Sequence, residues 1–373
     1  MIKYVTIDSL SKTQLNQIIF LFKKSFPGNI SKLEKNLLFT LKNSKKQKWI
    51  IAYFQNKLCG ALLLKFKKMN YQGIKLNVCG MSYMAVDKKI QKLNVAKKLI
   101  NMMFEISKKY DLILGFARKK MDGYYLPYGF VGITDFGTLN INTLCIKNYD
   151  SYLSVKIQNI KQNDLSEIQK FYQKNNSFIT GNLIREKYDF KNFMLNNTTT
   201  QIKIFKKKNL YLGYLVLRNN LVIEIRVDPR YYIECSYSLK KYFLSKSIQN
   251  IEFNTNLNDP FLRYLSRFSH QLSTRYFFDG GHIIRIVNLE KILNKLKPLL
   301  EKKLTYLRIN KLSINYEGLS LMFSNKKINY KFLKNIDTNL ITKLIFGIIP
   351  VSDPKLEILF GNVHIQFPTI DHF

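Results

Sequence analysis

Ser82-Tyr-Met-Ala-Val-Asp-Lys-Lys-Ile-Gln-Lys-Leu-Asn-Val-Ala-Lys-Lys-Leu99, followed downstream by Tyr124-Tyr-Leu-Pro-Tyr-Gly-Phe130, is the most informative part of this chain. The apolar run ending at Val86 reads as a strand, and the spacing predicts an amphipathic helix over 95–108 after a short polar loop. The first N–H groups of a helix have no partner inside it and point together out of its end. Such a corner suits a phosphate. A strand, loop and helix with a Gln and small residues also occurs in α/β cores that bind nothing there. The loop gains meaning from its company: Met84-Ala-Val86 on the strand, Gln91 to Ala96 in the loop, and Tyr125 with Tyr128-Gly-Phe130 beyond.

On either side of this stretch, residues 1–150 read as one α/β unit. A strand over 3–7 precedes a helix over 13–26, whose Leu15, Ile18, Ile19 and Phe22 share a face. A second helix is expected over 31–41, then strands over 48–54, 58–66 and 76–86, the first two joined by the turn Gln55-Asn56-Lys57. A strand over 112–116 completes a crossover, and 130–146 is expected to supply the unit's last strands.

Residues 151–286 repeat that plan in eroded form. A strand over 154–160, a helix from Asp164, a helix over 183–196, strands over 201–206, 211–218 and 221–227, and a helix over 236–247 follow in order. The stretch after Val227 is Asp-Pro-Arg-Tyr-Tyr-Ile-Glu-Cys235, where Pro229 removes a backbone donor from the corner that a phosphate would need. In residues 287–373 a helix over 289–302, strand-like segments over 304–309, 312–316, 319–323 and 327–330, and a helix over 338–346 suggest an α+β module.

The chain has 373 residues, which suggests two or three domains, and 46% hydrophobic with 14% aromatic residues is enough to fill their cores. No run approaches the ~20 apolar residues of a membrane span. The opening Met1-Ile-Lys-Tyr-Val-Thr-Ile-Asp8 reads as a strand rather than a signal peptide, so the expected location is the cytoplasm. Cys59, Cys79, Cys145 and Cys235 form no C-x-x-C pair and are expected to pack as small hydrophobes; His270, His282, His364 and His372 have no ligand spacing, so no metal is expected. The sequence has no Gly-x-x-x-x-Gly-Lys run and no Gly-x-Ser-x-Gly elbow, which argues against nucleotide hydrolysis and serine esterase chemistry.

Sixty Lys and Arg against 25 acids give a formal charge of +35, a field able to attract nucleic acid, acidic protein or an anionic membrane. The lysines come as scattered pairs, and the chain is rich throughout in Asn, Ile, Tyr and Phe, as an A/T-rich coding sequence would make it. No one element concentrates basic and stacking residues as single-strand binders do. Nucleic acid is therefore a possible partner but not the favoured one.

The motifs around Met84–Ala96 and Tyr125–Phe130 resemble those of the GNAT acyltransferases. The whole order, with its second eroded unit, the bridging Gly280-Gly-His-Ile-Ile-Arg-Ile-Val-Asn-Leu289 and the tail Asp371-His-Phe373, resembles the Eis-type (enhanced intracellular survival) acetyltransferases. The resemblance implies an α/β (α+β) chain: a catalytic GNAT domain over 1–150, a degenerate GNAT domain over 151–286, and a sterol-carrier-like domain over 287–373 whose tail returns to the active site. It implies an acetyl-CoA-dependent N-acetyltransferase acting on a primary amine of a small molecule or peptide by direct attack in a ternary complex.

In that frame Met84, Ala85 and Val86 align the pantetheine, and Gln91, Lys92, Leu93, Asn94, Val95, Ala96 and Lys97 cradle the pyrophosphate. Tyr125 is the general acid, three residues before the aromatic-Gly-aromatic unit, and the C-terminal carboxylate of Phe373 is the base. A homo-oligomer and no metal are expected. The family usually has Gly where this chain has Asn94; Gly lets backbone approach phosphate closely, and Asn tolerates the same unusual dihedrals better than most residues. A charge of +35 repels polycations at long range, and between Asp8 and Asp150 at its ends the first unit has few acids to offset it: Glu34, Asp87, Glu105, Asp111, Asp122 and Asp135. A peptide or small monoamine is thus expected at least as readily as an aminoglycoside. Two alternatives stand beside this reading: a nucleic-acid- or anion-binding protein on an inactive GNAT scaffold, and a Fem-like aminoacyl-tRNA-dependent ligase.

Overall fold

Alternation along one strand sets the layers of the first unit. In β2 (Gln47–Phe54), Trp49 and Ile51 face one side of the sheet while Ile50 and Ala52 face the other, and all four are fully buried. The computed structural model describes residues 1–26, 46–118, 121–133, 136–148, 154–176, 179–186, 189–190, 200–255, 259–275, 281–332, 336–348 and 354–361. The helix expected over 31–41 and the C-terminal tail lie outside them.

β1 (Ile2–Ile7) leads to α1 (Lys12–Ser25), which opens on a capping box in which Ser11 Oγ accepts from Gln14 N–H and Gln14 Oε1 accepts from Ser11 N–H. α1 buries Ile18, Ile19, Leu21 and Phe22 against Trp49, Ile51, Leu63 and Ala85. The β2 hairpin turns at Gln55 and Asn56, both at positive φ (47° and 60°), into β3 (Lys57–Tyr71), and β4 (Ile74–Val86) follows. On the opposite face α2 (Val95–Ser107) packs Val95, Leu99, Ile100 and Met103 against Ile50, Leu62, Leu64 and Ile113. β5 (Leu112–Ala117) and the short β6 (Val131–Gly132) come next.

The later elements are β7 (Phe136–Asn142), β8 (Val155–Asn159), α3 (Leu165–Asn176), β9 (Thr200–Lys207), β10 (Leu210–Arg218), β11 (Leu221–Val227), α4 (Tyr232–Leu244), β12 (Asn250–Thr255), β13 (His270–Arg275) and β14 (Gly281–Ile286). α5 (Leu289–Tyr306), β15 (Lys311–Tyr316), β16 (Leu319–Ser324), β17 (Lys327–Phe332) and α6 (Thr338–Ile345) complete the set. The described strands form two seven-stranded sheets, β1-β2-β3-β4-β5-β14-β6 and β13-β7-β12-β11-β10-β9-β8, and a small antiparallel sheet β15-β16-β17.

Sheet membership departs from chain order at two places, and the two units exchange a strand. β14 enters the first sheet between β5 and β6, antiparallel to β5 with Ile283 opposite Gly115 and Ile284 opposite Leu114. β7, expected among the last strands of the first unit, instead sits in the second sheet between β12 and β13, with Leu139 opposite both Phe253 and Leu272. The apolar pattern fixes which face of a strand is buried, and it leaves the partner open.

The units also meet along β3, which runs beyond its expected end. Ile184 N–H donates to Lys68 O (2.7 Å), Asn70 N–H to Asn182 O (2.9 Å) and Gly181 N–H to Asn70 O (2.9 Å). The start of the helix expected over 183–196 is thus extended chain, Leu183 bridging Met69, while 191–199 lie outside the described residues. Behind this seam lies a buried polar network of the second unit, joined to the first where Asn70 Nδ2 donates to Asn176 O at 3.0 Å. Arg185 holds Glu224 with two bonds (2.7 and 2.6 Å), Tyr214 donates to Glu224, and Arg226 Nε donates to Asn176 Oδ1 (2.8 Å).

The third module shares its core with the first sheet. Leu293, Leu296, Ile314, Leu321 and Ile341 pack with Tyr71, Leu76, Val78 and Leu114, and Tyr71 donates to Ile345 O at 2.6 Å. Leu304, expected to begin a strand, is the last fully buried residue of α5, four positions after Leu300 on the same stripe. Cys59, Cys79 and Cys235 are buried as expected, but Cys145 is exposed, on the turn that ends β7. No described helix is long and apolar enough to cross a membrane.

Candidate active site

The site grows from a disagreement between two neighbouring strands. β4 and β5 run parallel and pair only from Val78–Leu112 to Gly80–Leu114; beyond that β4 continues to Val86 and β5 to Ala117 without pairing. The cause lies in β4 itself. Its register with β3 slips between Ala61–Ala85 and Leu63–Ser82, and Tyr83 takes a positive φ of 48°. This bulge turns the strand and opens a wedge between β4 and β5. Ser82 Oγ is buried there without a hydrogen-bond partner among the described residues, a polar atom suited to an incoming group.

At the top of the wedge the expected polar loop is a turn of 3-10 helix, Lys88–Leu93, capped by Asp87, whose side chain accepts from Lys89 N–H (3.0 Å). Gln91 Nε2 leans back on Val86 O at 3.5 Å. Asn94 then reverses the chain in the left-handed region (φ 56°, ψ 22°) and starts α2 without a side-chain cap. The first bond of the helix runs from Lys98 N–H to Asn94 O (3.1 Å), so the N–H groups of Val95, Ala96 and Lys97 stay open to an approaching acceptor. Lys92 and Lys97 are exposed beside them, as are Gln91, Leu93 and Asn94. The residues named from the sequence as the cradle therefore fall at one corner. Met84 and Val86 pack toward α2, and Ala85 toward α1.

Tyr125 closes the short helix Asp122–Tyr125 and is buried (8% exposed), edge-on to Tyr124 (5.3 Å) and Phe130 (5.8 Å). Burial pushes its phenol up to about 12, against a smaller downward pull from Arg118. Tyr125 thus keeps its proton at neutral pH. Tyr124 and Tyr128 pack against one another at 5.8 Å in the same cluster. Phe373 lies outside the described residues.

Sequence reasoning missed three side chains on the α1 side of the wedge. Arg118, just past β5, lays its guanidinium over Phe26 at 3.9 Å and donates to Ser25 O at 3.1 Å. Phe26 is edge-on to Tyr83 (6.2 Å), and Lys65 lies 5.9 Å from the Tyr83 ring. Burial, then Lys67, lowers Lys65 to about 8, with Asp189 pulling the other way. A lysine interrupting the apolar run of β3 was the signal available for Lys65.

The corresponding place in the second unit is filled. β11 and β12 pair in parallel at Val222–Phe253, and across the opening beyond them Arg226 forms a buried ion pair with Asp259. Pro229 sits in the first turn after β11, and Asp228 accepts from Arg230 N–H (3.1 Å) there. Among the described residues no three His, Cys, Asp or Glu side chains gather to hold a metal.

No family model matches the chain. The ABC transporter ATM1 of Plasmodium falciparum is 26% identical over 246 residues, which are 59% of this chain and 22% of that protein, so the chain spans less than a quarter of this curated relative and the likeness assigns no family. Among solved structures, a GCN5-related N-acetyltransferase from Anabaena variabilis covers 100% of both chains with a TM-score of 0.71 at 12% identity. Another from Kribbella flavida covers 100% of this chain and 99% of its own, with a TM-score of 0.69 at 12% identity. Eis1 from Mycobacterium abscessus covers 100% of both chains with a TM-score of 0.67 at 10% identity. The described residues therefore take the GNAT-type fold that these acetyltransferases show.

Proposed function

We propose that this protein is an acetyl-CoA-dependent N-acetyltransferase of the Eis-like type, working at the β4–β5 wedge of the first unit. One observation carries the reading: an open strand wedge ends at an uncapped helix N-terminus turned by a left-handed Asn94, with the buried Tyr125 in the same core cluster as Val86 and Val95. The N–H groups of Val95, Ala96 and Lys97 bind the pyrophosphate, helped by the charges of Lys92 and Lys97. The freed edge of β4 at Met84–Val86 aligns the pantetheine amides and presents an N–H to the thioester oxygen as negative charge develops there.

A neutral primary amine attacks the thioester carbon, the C–N bond forms and the C–S bond breaks. Tyr125 gives its proton to the departing thiolate. The proton lost by the amine passes, in this reading, to the terminal carboxylate expected at Phe373. The second unit serves as a support, its own opening closed by Arg226 and Asp259. Residues 287–373 act as a sterol-carrier-like brace rather than a lipid carrier, since the apolar side chains of α5 and β16 pack on the first sheet.

Calorimetric titration of the untagged protein with acetyl-CoA tests the proposal. Saturable micromolar binding that free CoA displaces, lost in Asn94→Asp where a negative charge meets the pyrophosphate, supports it. Absence of binding up to millimolar acetyl-CoA refutes it.

A further inference from the structure

The acetyl donor and the amine must reach the wedge from different sides. The donor is held at the N-terminus of α2, so the amine arrives over the face covered by α1, where that helix ends at Ser25 and Phe26 beside the bulge of β4. Two cations lie there, Arg118 and Lys65, and the Lys67–Asp189 ion pair (2.5 Å) acts on Lys65 from further along β3.

Resting on the acetyltransferase reading, we infer that the acceptor is an amine that also carries a carboxylate, and that Arg118, with Lys65 behind it, holds that carboxylate while the amine reaches the thioester. Arg118 is held in place before any ligand arrives. One face of its guanidinium is on Phe26, and one N–H is tied to Ser25 O. The guanidinium has five N–H donors in a rigid plane, so the edge not used by Ser25 remains to grip a carboxylate. Among the described residues no carboxylate pairs with Arg118. Burial lowers its pKa, and Tyr125 opposes this. Arg118 is exposed beside the end of α1 and fixed there by Phe26 and Ser25, so its free edge is presented to an arriving anion.

Lys65 extends the same field. Its ammonium is drawn down to about 8 by burial and by Lys67, which outweigh the opposing pull of Asp189, so an arriving anion both meets a charge and stabilises it. The ends of α1 and β5 meet where Arg118 donates to Ser25 O, and the middle of β3 is linked to them through Tyr83, which both Phe26 and Lys65 approach. The net charge of +35 acts in the same direction at long range, drawing anionic amines in and turning polycations away.

The test is turnover with acetyl-CoA, read as thiol release, on amines matched in pairs of which only one member carries a carboxylate: γ-aminobutyrate against its amide, β-alanine against its amide, and a Glu-Ala amide against a Gln-Ala amide, with spermidine as a polycation. At least one acid member should exceed its neutral partner by about tenfold or more in kcat/KM, the size expected of a charge-assisted pair. That ratio should collapse toward unity in Arg118→Gln and be partly kept in Arg118→Lys, mainly through KM, with the melting temperature recorded for each variant. Preference for spermidine or the neutral partners overturns the inference, as does an acid preference that survives Arg118→Gln. If acetyl-CoA itself does not bind, the acetyltransferase reading has failed; if it binds and only uncharged or cationic amines turn over, this inference alone has failed.

Discussion

Replacing Asn94 with Val tests whether the left-handed pivot at the head of α2 controls donor binding. Asn94 sits at φ 56°, ψ 22°, a conformation that an ordinary L-residue reaches at a penalty of about 1–2 kcal/mol and a β-branched one with more difficulty. That penalty must appear somewhere. If the turn keeps its shape in the free protein, it appears as lost stability; if the turn relaxes until the donor reshapes it, it appears as lost affinity. The two losses together should amount to at least 1–2 kcal/mol, and all of it in affinity would mean roughly 5–30-fold weaker acetyl-CoA binding. Asn94→Gly carries no such penalty and should bind at least as well as wild type, with stability changed by about 1 kcal/mol or less. Calorimetry gives the affinities and urea unfolding the stabilities. Asn94→Val with both wild-type stability and wild-type affinity would refute the argument that residue 94 must be left-handed for the N–H groups of Val95, Ala96 and Lys97 to meet a phosphate.

Tyr125→Phe should lower kcat by about 10²–10⁴ while the acetyl-CoA dissociation constant and melting temperature hold, because the ring's packing is kept and only the proton is lost; a drop of less than threefold would remove Tyr125 as the acid. Since burial holds the phenol near 12, wild-type activity should not fall through loss of this proton until strongly alkaline pH. Glu224→Gln leaves the buried Arg185 facing a neutral group and should destabilise the protein by about 3–5 kcal/mol in urea unfolding; a change under about 1 kcal/mol would contradict it. Burial alone would raise Glu224, but Arg185 overrides it and holds the carboxyl below its usual range. Its stabilisation is therefore complete above the unfolded value near ~4.3 and is lost as pH falls through the lower folded value, a dependence Glu224→Gln should flatten. A fragment of residues 1–150 lacks β14 and leaves β5 and β6 unjoined, so it should show no cooperative unfolding transition; a cooperative one would mean the first sheet closes without its borrowed strand.

Local signals were readable because they depend on neighbours in the chain. The spacing of Ile18, Ile19 and Phe22 gave α1, and the strand, loop and helix around Asn94 gave the corner. Long-range pairing was not readable. β7 and β14 each look like ordinary strands, and nothing in their alternation says that they change places between sheets. Leu304 reads as a strand start because Thr305 and Arg308 interrupt the apolar Leu304, Tyr306, Leu307 and Ile309, although Leu304 also continues the helical stripe from Leu296 and Leu300. Arg118 and Lys65 carried no motif at all. Their meaning comes from Phe26 and Tyr83 being brought between them by separate elements.

The strand that closes the first sheet also imposes a timetable on the chain. Translation makes β5 first and must add ~160 further residues before β14 leaves the ribosome, on the order of ten seconds or more at ~5–20 residues per second. During that interval the unpaired edge of β5, carrying Ile113 and Leu114, waits for a partner. Such an edge is adhesive toward other nascent strands. The first sheet of a protein built this way closes only after the second unit has been made, so chaperone supply and translation rate should govern its yield more than the stability of the finished fold.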